Sequence, residues 1–232
     1  MLLLDTSESM SIPIAPIEAL GERMDIVDGV QTYEAIERMD NLLLPIKELN
    51  EGIRTFRDEL ASDPLAALRV ETAIVTFGSS VEVVQDFATV DALATPNLDS
   101  KGRTSTAAAI NRALDMLEDR KVTYREAGIS YYRPWVVMMT DGTSTDSERQ
   151  MLEVSRRVHR AEESKQLAFF SVGVEGADMV GLNRIGPRRA VPLRGLAFKE
   201  FFLWLSTSMT RVSASRVDDE INLPDISGWA NL

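Results

Sequence analysis

The chain has no cysteine and a single histidine in 232 residues. The first absence excludes disulfides, thiol catalysis and iron–sulfur ligation. The second leaves His159, set among Arg156, Arg157 and Arg160, without the further imidazole or thiol that a zinc set needs, and without the geometry that activates a serine nucleophile. Positive charge is also scarce: 25 Lys and Arg face 36 Asp and Glu, a formal charge of −11. Such a field repels phosphate backbones and anionic lipid, so no nucleic acid and no membrane is expected as partner; divalent cations and basic protein surfaces are favoured. Long hydrophobic runs are missing too. Met1–Leu4 stops at Asp5, too soon for a secretory leader, and no later run nears the ~20 residues that span a bilayer, so the expectation is a soluble, cytoplasmic protein.

What is present is an alternation of strand and helix patterns. Met1–Leu4 reads as a buried strand. From Leu42 onward, Leu43, Ile46, Leu49, Ile53, Phe56 and Leu60 recur every three or four residues, an amphipathic helix stopped by Ser62-Asp63-Pro64. Leu68–Phe77 and Val81–Phe87, joined by Gly78-Ser79-Ser80, read as a β-hairpin. Ala107, Ile110, Ala113, Leu114 and Leu117 mark a second helix, with the hydroxyls of Thr104, Ser105 and Thr106 where caps belong. Pro134–Thr140 is a continuous apolar run, the mark of a central strand covered on both faces, and it ends at Asp141-Gly142. A helix through Met151, Val154 and Val158, a strand over Leu167–Val174 and a closing helix over Phe198–Val212 complete the series, with Phe201, Phe202, Trp204 and Leu205 expected in the core.

The fold class that follows is α/β: a doubly wound, Rossmann-like, mostly parallel sheet with one antiparallel edge strand and helices on both faces. The expected organisation is a single domain over 1–212, with an acidic insertion at about 11–41 and a polar tail over 213–232 that either hangs free or docks through Trp229. Arg188, Arg189 and Arg194 are expected in a solvated loop.

In doubly wound sheets ligands sit beyond the carboxyl ends of the strands. Three segments are predicted to meet there: Asp5-Thr6-Ser7-Glu8-Ser9 after the first strand, Thr104 before the second helix, and Asp141 after the central strand. Taken singly, Ser7, Ser9 and Thr104 read as helix caps and Asp141-Gly142 as a turn. Together, Asp5, Ser7, Ser9, Thr104 and Asp141 offer oxygen alone, which selects a hard cation, Mg²⁺ first with Mn²⁺ or Ca²⁺ as alternatives. With so few protein carboxylates the ion keeps net positive charge, leaving a coordination position for a carboxylate from a partner.

The segments Leu-Leu-Asp-Thr-Ser-Glu-Ser-Met, Gly-Arg-Thr-Ser-Thr and Met-Met-Thr-Asp-Gly, in that order, resemble the von Willebrand factor A domain. The resemblance implies a metal-ion-dependent adhesion site with hydroxyls at Ser7, Ser9 and Thr104 and carboxylates at Asp5 and Asp141. It further implies a non-enzymatic protein-interaction role. Val75-Thr76-Phe77-Gly78, Phe170–Val174 and Phe201–Ser206 resemble the bacterial cytoplasmic TerY-like branch, linked to tellurium resistance. That branch implies partners from tellurium-resistance or stress operons: a kinase, a phosphatase or an AAA-type ATPase. Two departures stand out. Glu8 occupies a position where the family usually has glycine, and the acidic insertion intervenes before the first helix, beside the metal edge. Two rival readings remain: a metal-dependent phosphatase or phosphotransferase with Asp5 as nucleophile, although Ser7 stands where such enzymes carry a second Asp, and a metal-free scaffold.

Overall fold

The structure is a computed structural model, which describes residues 1–13, 25–27, 30–32, 44–141, 143–217 and 219–231. Strand β1 (Leu2–Asp5) opens the chain; β2 (Asp25–Val27) and β3 (Val30–Thr32) form a separate antiparallel pair. Then follow α1 (Pro45–Ser62), α2 (Pro64–Arg69), β4 (Thr72–Phe77) and β5 (Val81–Ala88). The remainder is α3 (Thr106–Glu126), β6 (Trp135–Thr140), α4 (Glu148–Glu163), β7 (Ala168–Gly173), α5 (Met179–Leu182), β8 (Val191–Pro192) and α6 (Phe198–Ala214). A six-stranded sheet runs in the order β5-β4-β1-β6-β7-β8, with β5 antiparallel to β4 and every other pairing parallel. This is the α/β architecture that the alternation predicts.

The apolar runs are unbroken because both faces of the sheet are covered. Successive strand side chains point to opposite faces. Leu2 and Leu4 therefore join Ile53 and Phe56 of α1 and Phe201, Phe202 and Leu205 of α6, while Leu3 joins Ile110 and Leu114 of α3 and Val154 and Val158 of α4. Packing on the first face is close enough that a Cβ on Gly52 of α1 would stand 2.3 Å from the Phe202 ring.

Several boundaries differ from the sequence reading. Leu68 lies in α2, not in a strand, and β4 begins at Thr72. Pro64 holds the preceding Asp63 in extended backbone (φ −104, ψ 112), which ends α1; the Asp63 carboxylate then accepts from the N–H groups of Leu65 and Ala66 and starts α2 at once. Two short elements, α5 and β8, carry too few periodic residues to be read from sequence. Arg188 is not merely solvated: it donates to the buried Glu162 at 2.8 Å and lies over the Phe170 ring. The tail docks. Trp229 is 3% exposed, packed edge-on against Phe201 with ring centroids 4.9 Å apart, and Leu193 and Ala230 form an antiparallel bridge. Most of the acidic insertion lies outside the described residues. No described helix is long and apolar enough to cross a membrane.

Candidate functional site

The chain runs from β1 to β4 by way of α1 and α2 on one face, then returns past β1 to β6 by way of α3 on the other. The carboxyl end of β1 is thus the point where the winding reverses, the place where open α/β sheets seat their ligands. Asp5, the last residue of β1, is fully buried. Its two carboxylate oxygens are separately held: Oδ1 accepts from the Ser7 N–H at 2.7 Å, and Oδ2 accepts from the Thr140 hydroxyl at 2.5 Å. The Ser7 and Ser9 hydroxyls lie 3.0 Å apart, and Ser9 Oγ donates to Asp141 Oδ1 at 2.7 Å. One continuous string of oxygens therefore crosses from β1 to the end of β6.

Backbone contacts clamp the surrounding loops together. Thr6 donates to the Phe77 carbonyl and accepts from the Lys101 N–H, both at 2.8 Å; Glu8 N–H donates to the Gly102 carbonyl at 3.0 Å. Gly78 stands at the closest approach, where a Cβ would lie 2.7 Å from the Lys101 carbonyl oxygen. Gly102 adopts φ +80, a left-handed conformation that side chains resist, and this lets the loop cross Ser79. On the far side the Thr104 carbonyl accepts from both the N–H and the hydroxyl of Thr145. Asp146 Oδ2 accepts from the Ala107 N–H at 2.8 Å and from Ser144 Oγ at 2.7 Å. Asp146, not the hydroxyl of Ser105, thus satisfies the first turn of α3, because the N-cap Ser105 makes no side-chain capping bond.

Electrostatically the site is short of positive charge. Burial pushes the Asp5 carboxyl up to about 6, against the hydrogen bonds from Ser7 and Thr140; Asp141 adds a smaller push in the same direction. Asp141 is itself raised above the usual carboxylate range by burial, with its bond from Ser9 opposing. Among the described residues no Lys, Arg or His pairs with either carboxylate. Two half-compensated anions linked by hydroxyl oxygens make a donor set suited to a hard cation.

Of the five residues expected at the site, Asp5, Ser7, Ser9 and Asp141 are joined directly. Thr104 is buried in the adjoining loop, and no hydrogen bond among the described residues links its hydroxyl to the other four. The Glu8 side chain is exposed. Thr140 and Asp146 are the residues that sequence reasoning misses. Leu4 pairs with Met139, so Thr140 is the next residue along beside Asp5, a relation that exists only once β1 and β6 are neighbours.

The profile of the von Willebrand factor type A domain matches residues 48–200, well over half of the chain. The chain belongs to the von Willebrand factor type A family. The matched stretch of this A domain includes Thr104 and Asp141 and begins after Asp5, Ser7 and Ser9. Among solved structures, the A domain is similar to a D319A mutant of the PilB minor pilin from Streptococcus sanguinis (12% identity, TM-score 0.55, covering 90% of this chain and 60% of that one). It is also similar to the VWA domain of SpRpn10 (11% identity, TM-score 0.52, 88% and 92% covered). A third likeness is to proximal thread matrix protein 1 from the mussel byssus (13% identity, TM-score 0.52); this chain spans less than half of that protein, 46%. At such identities the likeness is one of fold. No curated protein matches the sequence significantly. Family membership identifies a protein-interaction module in general terms.

Proposed function

We propose that this A domain is a magnesium-dependent protein-interaction module in which Asp5, Ser7, Ser9, Thr104 and Asp141 hold the cation and a partner's Asp or Glu completes its coordination. The observation that carries this reading is the pair of carboxylates, Asp5 and Asp141, strung together through Ser7 and Ser9, with no cationic side chain among the described residues paired to either. A bound divalent ion would supply the missing positive charge and an open site for an anionic ligand. Asp5 acts as an orienting anion: both of its oxygens are already engaged by Ser7 and Thr140, and it is fully buried. That placement weighs against Asp5 as a nucleophile, since an attacking carboxylate oxygen must reach its substrate.

The reading extends to a cytoplasmic bacterial setting, supported by the segments Val75–Gly78 and Phe170–Val174 that resemble the TerY-like branch. A kinase, phosphatase or AAA-type ATPase from a tellurium-resistance or stress operon is therefore the first partner to test.

The deciding experiment is Mg²⁺ or Mn²⁺ titration into chelator-stripped protein, followed by thermal unfolding. A ligand that binds only the folded state stabilises it by RT ln(1 + [L]/Kd), about 2.7 kcal/mol at a hundredfold excess over Kd. The expected result is a saturable rise in melting temperature for the wild type that Asp141→Ala abolishes. An equal rise in the variant would reduce the effect to surface screening and overturn the proposal.

A further inference from the structure

Two separate stretches of this acidic chain are strongly basic. Residues 154–166 and 182–190 carry seven of the 25 Lys and Arg but only two of the 36 Asp and Glu, Glu162 and Glu163. The fold lays them side by side. The Ser155 hydroxyl donates to the Arg184 carbonyl at 2.6 Å, a Cβ on Gly186 would stand 3.2 Å from Val158, and Arg188 Nε donates to Glu162 at 2.8 Å. The 184–188 segment therefore follows α4 from Ser155 to Glu162, about 10 Å of helix at ~1.5 Å per residue. Since α4 starts at Glu148, just after the Asp141 loop, Arg156 and Arg160 stand about two and three turns along it, away from the candidate metal centre.

Arg156, Arg160, Arg184 and Arg189 are all exposed, and none is paired with a carboxylate among the described residues. The acids nearby do not cancel them. Glu162 is buried and shared by Arg133 and Arg188, Glu153 and Asp115 are held by Arg149 and Arg157, and Glu163 adds a single exposed charge without an ion pair. Like charges at i and i+4, as at Arg156 and Arg160, weaken a helix slightly, so the arrangement costs the fold stability. At physiological ionic strength the Debye length is about 8 Å, so a short visitor meets the local positive charge, whereas a long polyanion extends onto the acidic remainder and is repelled.

We infer that this face is a second docking surface, independent of the metal, for an acidic helix of a protein partner. Arg156 and Arg160 are separated by about 6 Å along the α4 axis, and the stretch from Arg184 to Arg188 covers about 10 Å beside them. Carboxylates at i, i+4 and i+7 on one face of a second helix repeat at those same spacings, about 6 and 10 Å. Such a helix set between α4 and the 184–189 segment places its acids against both rows of arginines, and the fixed spacing, rather than charge alone, selects it.

The test uses the full chain and two labelled, alanine-based helical peptides of one composition: the first carries Glu at i, i+4, i+7 and i+11 on a single face, the second carries the same Glu residues spread around the helix. Affinities are read by fluorescence anisotropy at about 150 mM salt, in chelator and again in Mg²⁺. The one-face peptide should bind the wild type at least about tenfold more tightly than the spread one, equally in chelator and in Mg²⁺. Its affinity should fall at least about tenfold in the pair Arg156→Glu and Arg184→Glu, and by less in the milder pair Arg156→Gln and Arg184→Gln. Lys199→Glu, the same change of charge at an exposed position on α6, should leave it unaltered. No binding, equal binding of the two peptides, or an equal loss in Lys199→Glu would overturn the docking surface. A DNA duplex of matched charge bound more tightly than the peptide would overturn the protein partner, and a requirement for Mg²⁺ would move the peptide to the metal edge and overturn the second surface. The Mg²⁺-induced thermal shift, recorded on the same variants, should be retained in all of them, so the metal reading is judged separately.

Discussion

Asp5 provides the sharpest test of the site's electrostatics, through Asp5→Asn in metal-free protein. Its carboxyl is raised from 3.8 to about 6, chiefly by burial. A carboxyl whose folded value exceeds its unfolded value binds more protons when folded, so its contribution favours folding at low pH and is lost as pH rises through the window between 3.8 and about 6. A shift of that size corresponds to about 3 kcal/mol of destabilisation fully developed at pH 7.5, with roughly half of it present at pH 5. Asparagine has nearly the same shape, can still accept the Ser7 N–H bond, and can turn its amide toward the Thr140 oxygen, but carries no charge to desolvate. Urea denaturation in chelator should therefore show Asp5→Asn more stable than the wild type by up to about 3 kcal/mol at pH 7.5, with the advantage shrinking toward zero near pH 4. Taking the difference between the two proteins at each pH cancels the other titrating groups. Saturating Mg²⁺ should reverse the order, because only the wild type keeps the anion. If Asp5→Asn is the less stable protein at pH 7.5 in chelator, the carboxylate is a net stabiliser without metal and the charge-deficit reasoning fails.

Three further outcomes test the surrounding structure. Thr140→Val keeps the side-chain shape but removes the donor to Asp5 Oδ2, and should cost about 1–3 kcal/mol in denaturant unfolding and weaken the Mg²⁺ response; retention of both would deny Thr140 a positioning role. Gly78→Ala forces a Cβ to within 2.7 Å of the Lys101 carbonyl and should cost about 1–3 kcal/mol, with faster amide exchange at Glu8 and Lys101 as the local signature; unchanged exchange would mean that the three loops are not mutually clamped there. Glu162→Ala removes the buried acceptor shared by Arg133, Arg188 and the Phe169 N–H, and should destabilise by about 3–5 kcal/mol; a loss under about 1 kcal/mol would show the network to be dispensable.

The local code of the chain already determined much of the architecture. The period of three to four through Ile46, Leu49, Ile53, Phe56 and Leu60 specifies a helix with one buried face, and the unbroken run Trp135–Thr140 specifies a strand covered on both sides; both patterns are set by burial and act within a few residues. The oxygen-rich motifs at Asp5–Ser9 and Asp141 were legible for the same reason, since residue types alone state what chemistry they can offer. Elements held by distant partners were not legible. Such is β8, which needs the sheet edge supplied by β7; the short α2 is capped locally by Asp63, but its 6 residues are too few for a period to show. Only the tertiary structure decided that Thr140 lies against Asp5, that Asp146 rather than Ser105 completes the first turn of α3, and that Trp229 folds back onto Phe201 and Trp204. The physical reason is the range of the interactions. Periodicity and capping are written in neighbouring residues, whereas the desolvation of Asp5 and the crossing of its loops arise from segments more than seventy positions apart, which become neighbours only when β4 and β6 pair with β1.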